Sequence, residues 1–211
     1  MKAVPDWDAD SPQLRKNLAE VLAEIARASH HRETPTLESA RRWHTLLLRK
    51  LKVPDSRYVG AFRGEPGLEN LQVKVGGHFG VAAAEVAGEV AEFERKLQGL
   101  ISELDVQVPV GKEPNADQLA AILDTCAWLR SEWVRIHPFA NGNGRTARLW
   151  ANSIAMRYGL PPFIHLRPRP NWGYAEAGAK AMLGHWIPTA IVFRRLLDEF
   201  LAEGLTVETI R

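Results

Sequence analysis

Apolar residues recur at steps of three and four along most of the chain, which is the spacing of amphipathic helices. Ser11 followed by Pro12 is typical of a helix N-cap and first helical position. We predict seven helices on this pattern, starting near Ser11, Thr36, Val86, Asn115, Asn143, Tyr174 and Pro188. The last is expected to end before Gly204.

The period changes to two between the second and third predicted helices. Leu71, Val73 and Val75 alternate with polar residues, as in a half-buried strand. We predict two short strands, 58–63 and 71–75, around a turn at 64–67. An isolated hairpin is marginal in water, so this one must pack on the helices. The predicted fold class is mainly α with one β-hairpin.

Composition narrows the class of protein. The 211 residues suit one domain, and the formal net charge of +2 argues against a general polyanion binder, so no nucleic acid is expected. A single cysteine, Cys126, excludes a disulfide framework. No apolar run approaches the ~20 residues of a membrane span, and the polar N-terminus does not resemble a signal peptide. We therefore expect a cytoplasmic protein without a membrane segment.

Candidate chemistry is concentrated in residues 136–148, between two predicted helices. Gly142 and Gly144 flank Asn143 where a helix begins. The first amides of a helix are unpaired and partly positive, and glycine lets a ligand approach, so this loop predicts a phosphate cradle. Arg145 and Arg148 lie in the first helical turn, where they oppose the helix dipole unless a polyanion is bound.

His137 comes just before the glycine loop. An ordinary imidazole pKa near 6.5 suits a general base. Any one of these features has a common structural explanation, but all of them fall within residues 137–148. Their conjunction favours a site that binds phosphate beside a base.

Three other sites are not supported. Residues 142–147 fit a loose G-x-G-x-x-A dinucleotide fingerprint, but a helix precedes them and residues 161–170 contain no acid. The chain has neither a G-x-x-x-x-G-K-[ST] phosphate loop nor an H-E-x-x-H zinc pair.

A helix-turn-helix nucleic-acid binder using the arginine-rich segment is a weaker alternative, because it gives the glycine loop no role.

The loop resembles the Fic-domain signature H-P-F-x-[DE]-G-N-G-R-x-x-R. Eight fixed positions match, namely His137, Pro138, Phe139, Gly142, Asn143, Gly144, Arg145 and Arg148. The resemblance implies a Fic-type helical domain with a β-hairpin flap. It would comprise an N-terminal helical extension over 1–35 and a core over 36–211, with the flap at 58–79.

The resemblance implies transfer of AMP from ATP to a Ser, Thr or Tyr hydroxyl of a target protein, with release of pyrophosphate. His137 would take the proton of the attacking hydroxyl. The phosphates would be bound by Gly142, Asn143, Gly144, Arg145 and Arg148. Tyr174 could stack on the adenine, with core packing as the alternative.

The flap would hold the target segment in extended form by strand addition, through Arg63, Val73 and Val75. Gly144 stands where a kinase-like branch of the family has lysine, which favours a transferase. The resemblance leaves open a homo-oligomer and an antitoxin-like partner chain.

Asn141 departs from the family, which has an acidic partner of Mg²⁺ at this position. Mg²⁺ prefers carboxylates, and an amide oxygen is a poorer ligand. A weakened Mg²⁺ site, an ion held mainly by the phosphates and a different phosphate donor all stay open. So does a nucleotide-binding regulatory module with little or no turnover.

Residues 29–34 partly match the inhibitory helix of the family, [ST]-x-x-x-E-[GN]. This match suggests that Glu33 pairs with Arg148 and restrains activity. The alternative is that Glu33 is a surface residue at a helix end.

Overall fold

The computed structural model describes residues 11–75, 77–171 and 173–203. Seven helices lie within these ranges: α1 Pro12–His30, α2 Leu37–Leu48, α3 Val86–Gln107, α4 Ala116–Ile136, α5 Asn143–Arg157, α6 Tyr174–Ala181 and α7 Ile187–Ala202. They confirm the predicted mainly helical class. Short 3₁₀ helices occupy Ser56–Tyr58 and Ala83–Glu85. Residues 1–10 of the predicted extension, Trp172 and Gly204 lie outside the described residues.

Side-chain caps fix the starts of three helices. Ser11 Oγ accepts a hydrogen bond from the amide of Leu14 at 3.1 Å, which starts α1. Thr36 and Asn115 each form a capping box with the residue three positions on. The predicted starts near Ser11, Thr36 and Asn115 are therefore confirmed.

The core is centred on α4 and α5, and α5 is buried along almost its whole length. An aromatic cluster fills the space between these helices and their neighbours, with Trp133 and Trp150 fully buried and 5.5 Å apart between ring centroids. Phe93 of α3 contacts both rings. Large aromatic side chains contribute most of the apolar area buried in such a core. This rigid pair of helices positions the loop that joins them.

Helix α1 packs directly on the rest of the domain. Leu14, Val21 and Ile25 are buried on its inner face. The Ser29 hydroxyl donates to the main-chain oxygen of Ser153 in α5 at 3.1 Å. Asn17 Nδ2 donates to the oxygen of Leu47 in α2 at 3.0 Å. The division at residue 35 stays a prediction.

The predicted strand pairing is wrong. The hairpin is formed by β1, Lys74–Val75, and β2, His78–Phe79, which pair antiparallel with Lys74 opposite Phe79. Residues 58–63 form no strand: Tyr58 ends a 3₁₀ helix, and Phe62 and Arg63 are both buried, whereas a half-buried strand alternates in exposure. Gly64 and Gly67 have φ of 89° and 83° and shape a compact loop in place of a hairpin turn.

In the described part of the chain, no helix combines the length and the apolar character that a membrane crossing requires.

Candidate active site

His137 lies where α4 ends. Its backbone is left-handed with φ 54°, and Pro138 prevents the helix from continuing. Nδ1 lies 2.7 Å from the main-chain oxygen of Val134, so Nδ1 carries the proton and Nε2 carries the lone pair. Burial lowers the pKa of His137 to about 4. The imidazole is therefore neutral near pH 7 and has a defined basic nitrogen.

His44 of α2 braces the loop that follows His137. Its Nδ1 accepts a hydrogen bond from the amide of Gly60 at 2.9 Å, and Nε2–H donates to the main-chain oxygen of Asn141 at 3.0 Å. The ring stacks on Phe139 at 3.8 Å between centroids. Burial lowers the pKa of His44 to about 3, which keeps the ring neutral in this bridge.

Sequence reasoning did not find His44. The only signal is a histidine beside Trp43 on the buried side of α2. Its partners lie far along the chain, so local spacing could not assign its role.

Helix α5 begins at a glycine. Gly142 is the N-cap residue with φ 78°, and no side chain caps the helix among the described residues. The first amides of a helix have no partner within it, and in α5 these are the amides of Asn143 and Gly144. Gly144 is exposed. This arrangement matches the predicted phosphate cradle, whose role in binding stays a prediction.

The Asn143 side chain closes the loop. Its Oδ1 accepts from the amide of Phe139 at 2.9 Å, and its Nδ2 donates to the oxygen of Phe139 at 2.8 Å. Asn143 is 1% exposed.

Asn141 and Arg145 are joined within the loop. Arg145 Nη2 donates to Asn141 Oδ1 at 2.9 Å, and the amide of Gly142 donates to the same oxygen. The residues expected to hold Mg²⁺ do not fit that ion, because the Asn141 amide oxygen is neutral and already accepts two hydrogen bonds. In the described chain, no group of three or more His, Cys, Asp or Glu side chains could hold a metal ion.

Arg148 lies in a buried basic cluster with Tyr174 and Arg130. Arg148 Nη2 donates to the main-chain oxygen of Leu166 at 3.0 Å, while its buried Nε has no partner in the described structure. Arg130 Nε donates to the Tyr174 hydroxyl at 3.2 Å, and its guanidinium lies 4.4 Å over the Tyr174 ring. Burial lowers the pKa of Arg148.

The electrostatics of this cluster favour an anion. Burial alone would raise the pKa of Tyr174, but the positive charges of Arg130 and Arg148 outweigh it and lower that pKa. Neither arginine pairs with a carboxylate of the described residues. Two buried cations without a counter-charge are costly unless an anion binds beside them. Tyr174, proposed from sequence as an adenine-stacking ring, has its hydroxyl directed at these guanidinium groups.

Arg63 is a buried structural residue, so its predicted role in docking a target is corrected. It is 1% exposed, and its guanidinium donates to the oxygens of Ile136, His137, Leu71 and Val81 at 2.7–3.2 Å. It thus caps α4 and joins the base of the hairpin to the loop that carries His137. Burial lowers the pKa of Arg63 to about 10, so it is charged near pH 7.

Val73 and Val75 lie on the hairpin as predicted. The main-chain oxygen of Val73 accepts a hydrogen bond from the amide of Gly80 at 3.1 Å. Val75 is exposed. Their contact with a target stays a prediction.

The predicted pair of Glu33 and Arg148 is not formed. Glu33 is exposed in the loop after α1. Arg148 instead contacts Leu166 and Tyr174. The partial motif at 29–34 covers the end of α1 and the turn that follows it.

Gly80, which follows β2 of the hairpin, lies very close to His137. A Cβ on Gly80 would lie 2.6 Å from the Cβ of His137, whereas a Cβ on Gly77 in the same hairpin would meet nothing within 4 Å. We expect Gly80→Ala to shift His137 and to lower the rate of the expected AMP transfer at least tenfold. Gly77→Ala should transfer AMP at a rate close to that of the wild type. Steady-state rates of both variants check this, and equal rates would contradict it.

Comparisons with known proteins identify the family of this chain. The sequence model of the Fic/DOC family matches residues 34–155, more than half of the chain. Protein adenylyltransferase Fic of Drosophila erecta is 34% identical over 95 residues, which covers 44% of this chain and 16% of that protein. The protein of the same name from Nematostella vectensis is 44% identical over 73 residues, covering 33% of this chain and 17% of that one. The chain thus matches about a sixth of the length of these curated relatives.

Solved structures share the fold. BepC, a VirB-translocated effector of Bartonella tribocorum with bound AMPPNP, superposes with a TM-score of 0.59 at 16% identity, covering 89% of this chain and 87% of BepC. A Fic-domain signalling protein of Bacteroides thetaiotaomicron gives a TM-score of 0.54 at 21% identity, with coverage of 92% and 74%. The chain thus shares the helical fold of a Fic-domain protein. The chain belongs to the Fic/DOC family.

Proposed function

We propose that this protein transfers AMP from ATP to a Ser, Thr or Tyr hydroxyl of a target protein. The main support for this proposal is the position of His137, which is neutral, has a basic Nε2 and precedes the uncapped N-terminus of α5. The curated relatives that the chain partly matches are named adenylyltransferases, and BepC was solved with AMPPNP bound. Both support a nucleotide as the donor.

The proposed reaction balances with the groups at the site. The target oxygen forms a bond to the α-phosphorus, its proton passes to His137 Nε2, and the bond from the α-phosphorus to the bridging oxygen breaks to release pyrophosphate. The amides of Asn143 and Gly144 bind the phosphates. Arg148 and Arg130 offset the charge of the leaving pyrophosphate. Phosphoryl chemistry depends mainly on such positioning and charge stabilisation.

The hairpin is the proposed docking element for the target. Both strands are short and mostly exposed, with Val75 39% and Phe79 56% exposed. Backbone groups on a strand edge bind an extended peptide through main-chain hydrogen bonds, which tolerate many sequences. A homo-oligomer or an antitoxin-like partner remains a prediction, as does Mg²⁺ as the ion that accompanies ATP.

Mass spectrometry tests donor and activity together. The protein is incubated, with and without peptides that contain one Ser, Thr or Tyr, with each nucleoside triphosphate or with CDP-choline. We expect a mass increase of one AMP from ATP, with one pyrophosphate released per transfer. An adduct from another donor would replace ATP in the proposal, and no adduct with any donor would contradict transferase activity.

A regulatory module that binds nucleotide without turnover is the second candidate, and the neutral Asn141 favours it. Calorimetry with ATP separates the two. Binding of ATP without pyrophosphate release would support the module.

A further inference from the structure

Hydrogen bonds from neighbouring residues fix both the side chain and the main chain of Asn141. Its Oδ1 accepts from Arg145 Nη2 and from the amide of Gly142, and its main-chain oxygen accepts from His44 Nε2. An amide oxygen has two acceptor lone pairs, and both of these are used at Oδ1. Asn141 thus has no side-chain oxygen ready to enter the coordination sphere of a cation.

Charge also opposes a cation at this position. The Arg145 nitrogen lies 2.9 Å from Asn141 Oδ1. A magnesium ion binds oxygen at about 2.0–2.1 Å, so an ion on this oxygen would approach a guanidinium closely. The neutral carboxamide offers no charge to offset that repulsion.

Cationic side chains lie instead near the first turn of α5, where Arg148 Nη1 is 3.8 Å from the position of a Cβ on Gly144. Arg130 and Arg148 are 4% and 3% exposed and have no carboxylate partner in the described chain. Arg148 Nε is buried and unpartnered there. These groups can neutralise phosphate oxygens without a metal ion bound to the protein.

We infer that this chain binds its nucleoside triphosphate without coordinating a metal ion, with Asn141 bracing the phosphate loop through Arg145. This inference rests on the proposed nucleotide site and specifies the form of the substrate. The identity of residue 141 would then determine whether ATP binding depends on a metal ion. An aspartate has nearly the same shape, so one of its oxygens could keep the Arg145 contact while the other accepts a metal ion.

Calorimetric titration of ATP tests the inference. The dissociation constant is measured in MgCl₂ and in EDTA for the wild type, for Asn141→Asp and for Asn70→Asp. Asn70 is exposed, so the last variant makes the same charge change outside the loop. We expect less than a threefold difference between the two conditions for the wild type and for Asn70→Asp. Asn141→Asp should bind ATP at least tenfold more weakly in EDTA, because its carboxylate repels the phosphates until a metal ion bridges them.

Three results would contradict the inference or part of it. A wild type that loses tenfold or more of its affinity in EDTA overturns the inference but leaves the nucleotide site intact. Absence of ATP binding in both conditions overturns the proposed function and the inference together. Metal-independent binding by folded Asn141→Asp overturns the role of residue 141, and if that variant does not fold, the wild-type comparison decides alone.

Discussion

His137→Ala is expected to lower the rate of AMP transfer by about 10²- to 10⁴-fold, the usual contribution of a positioned general base. The fixed tautomer is the physical reason, because Nδ1–H is held by the oxygen of Val134 and only Nε2 can accept the proton of the attacking hydroxyl. The low pKa of His137, about 4, keeps that nitrogen deprotonated at neutral pH. Single-turnover labelling with ATP measures the loss.

The control separates a lost base from a damaged fold. His30→Ala removes an exposed histidine on α1 and should label at the wild-type rate. ATP affinity of His137→Ala should change less than threefold, since the amides proposed to bind phosphate belong to α5. Equal labelling by His137→Ala and wild type would show that another group takes the proton.

Local sequence signals predicted the helices because their ends are set by near neighbours. Ser11, Thr36 and Asn115 cap helices through residues three positions away, so the pattern itself contains the information. The glycine loop was predictable for the same reason, because its amides and its N-cap residue are adjacent in sequence.

Long-range contacts account for what the sequence did not predict. His44 is assigned by partners 16 and 97 positions away, and Arg63 by carbonyls up to 74 positions away. Residues 58–63 contain the aromatic and β-branched types of a strand, but burial of Phe62 against Phe139 outweighs that local preference. Glu33 fitted a short motif that predicted a pair with Arg148. Whether that pair forms depends on how the end of α1 is placed relative to α5, which the motif does not contain.

Arg63→Met is expected to lower the free energy of unfolding by about 3–5 kcal/mol, because four main-chain oxygens lose a charged donor inside the protein. Arg63→Lys should recover only part of this loss, since an ammonium has three donors and lacks the planar fork of a guanidinium. Urea denaturation at constant m-value measures both. A matched control is Arg95→Met, which removes an exposed ion pair with Glu92 and should leave the free energy of unfolding almost unchanged.

Arg63→Lys is also expected to lower the rate of AMP transfer. Arg63 contacts the oxygens of Ile136 and His137, so a shorter set of donors should loosen the turn that orients the imidazole. We expect kcat to fall at least tenfold at a temperature where the variant is fully folded, with KM for ATP changed less than threefold, because the α5 amides are not attached to Arg63. Loss of stability with unchanged kcat would limit Arg63 to holding the fold. A fall in kcat with the phosphate site intact would show that the cap on α4 also sets the position of the base.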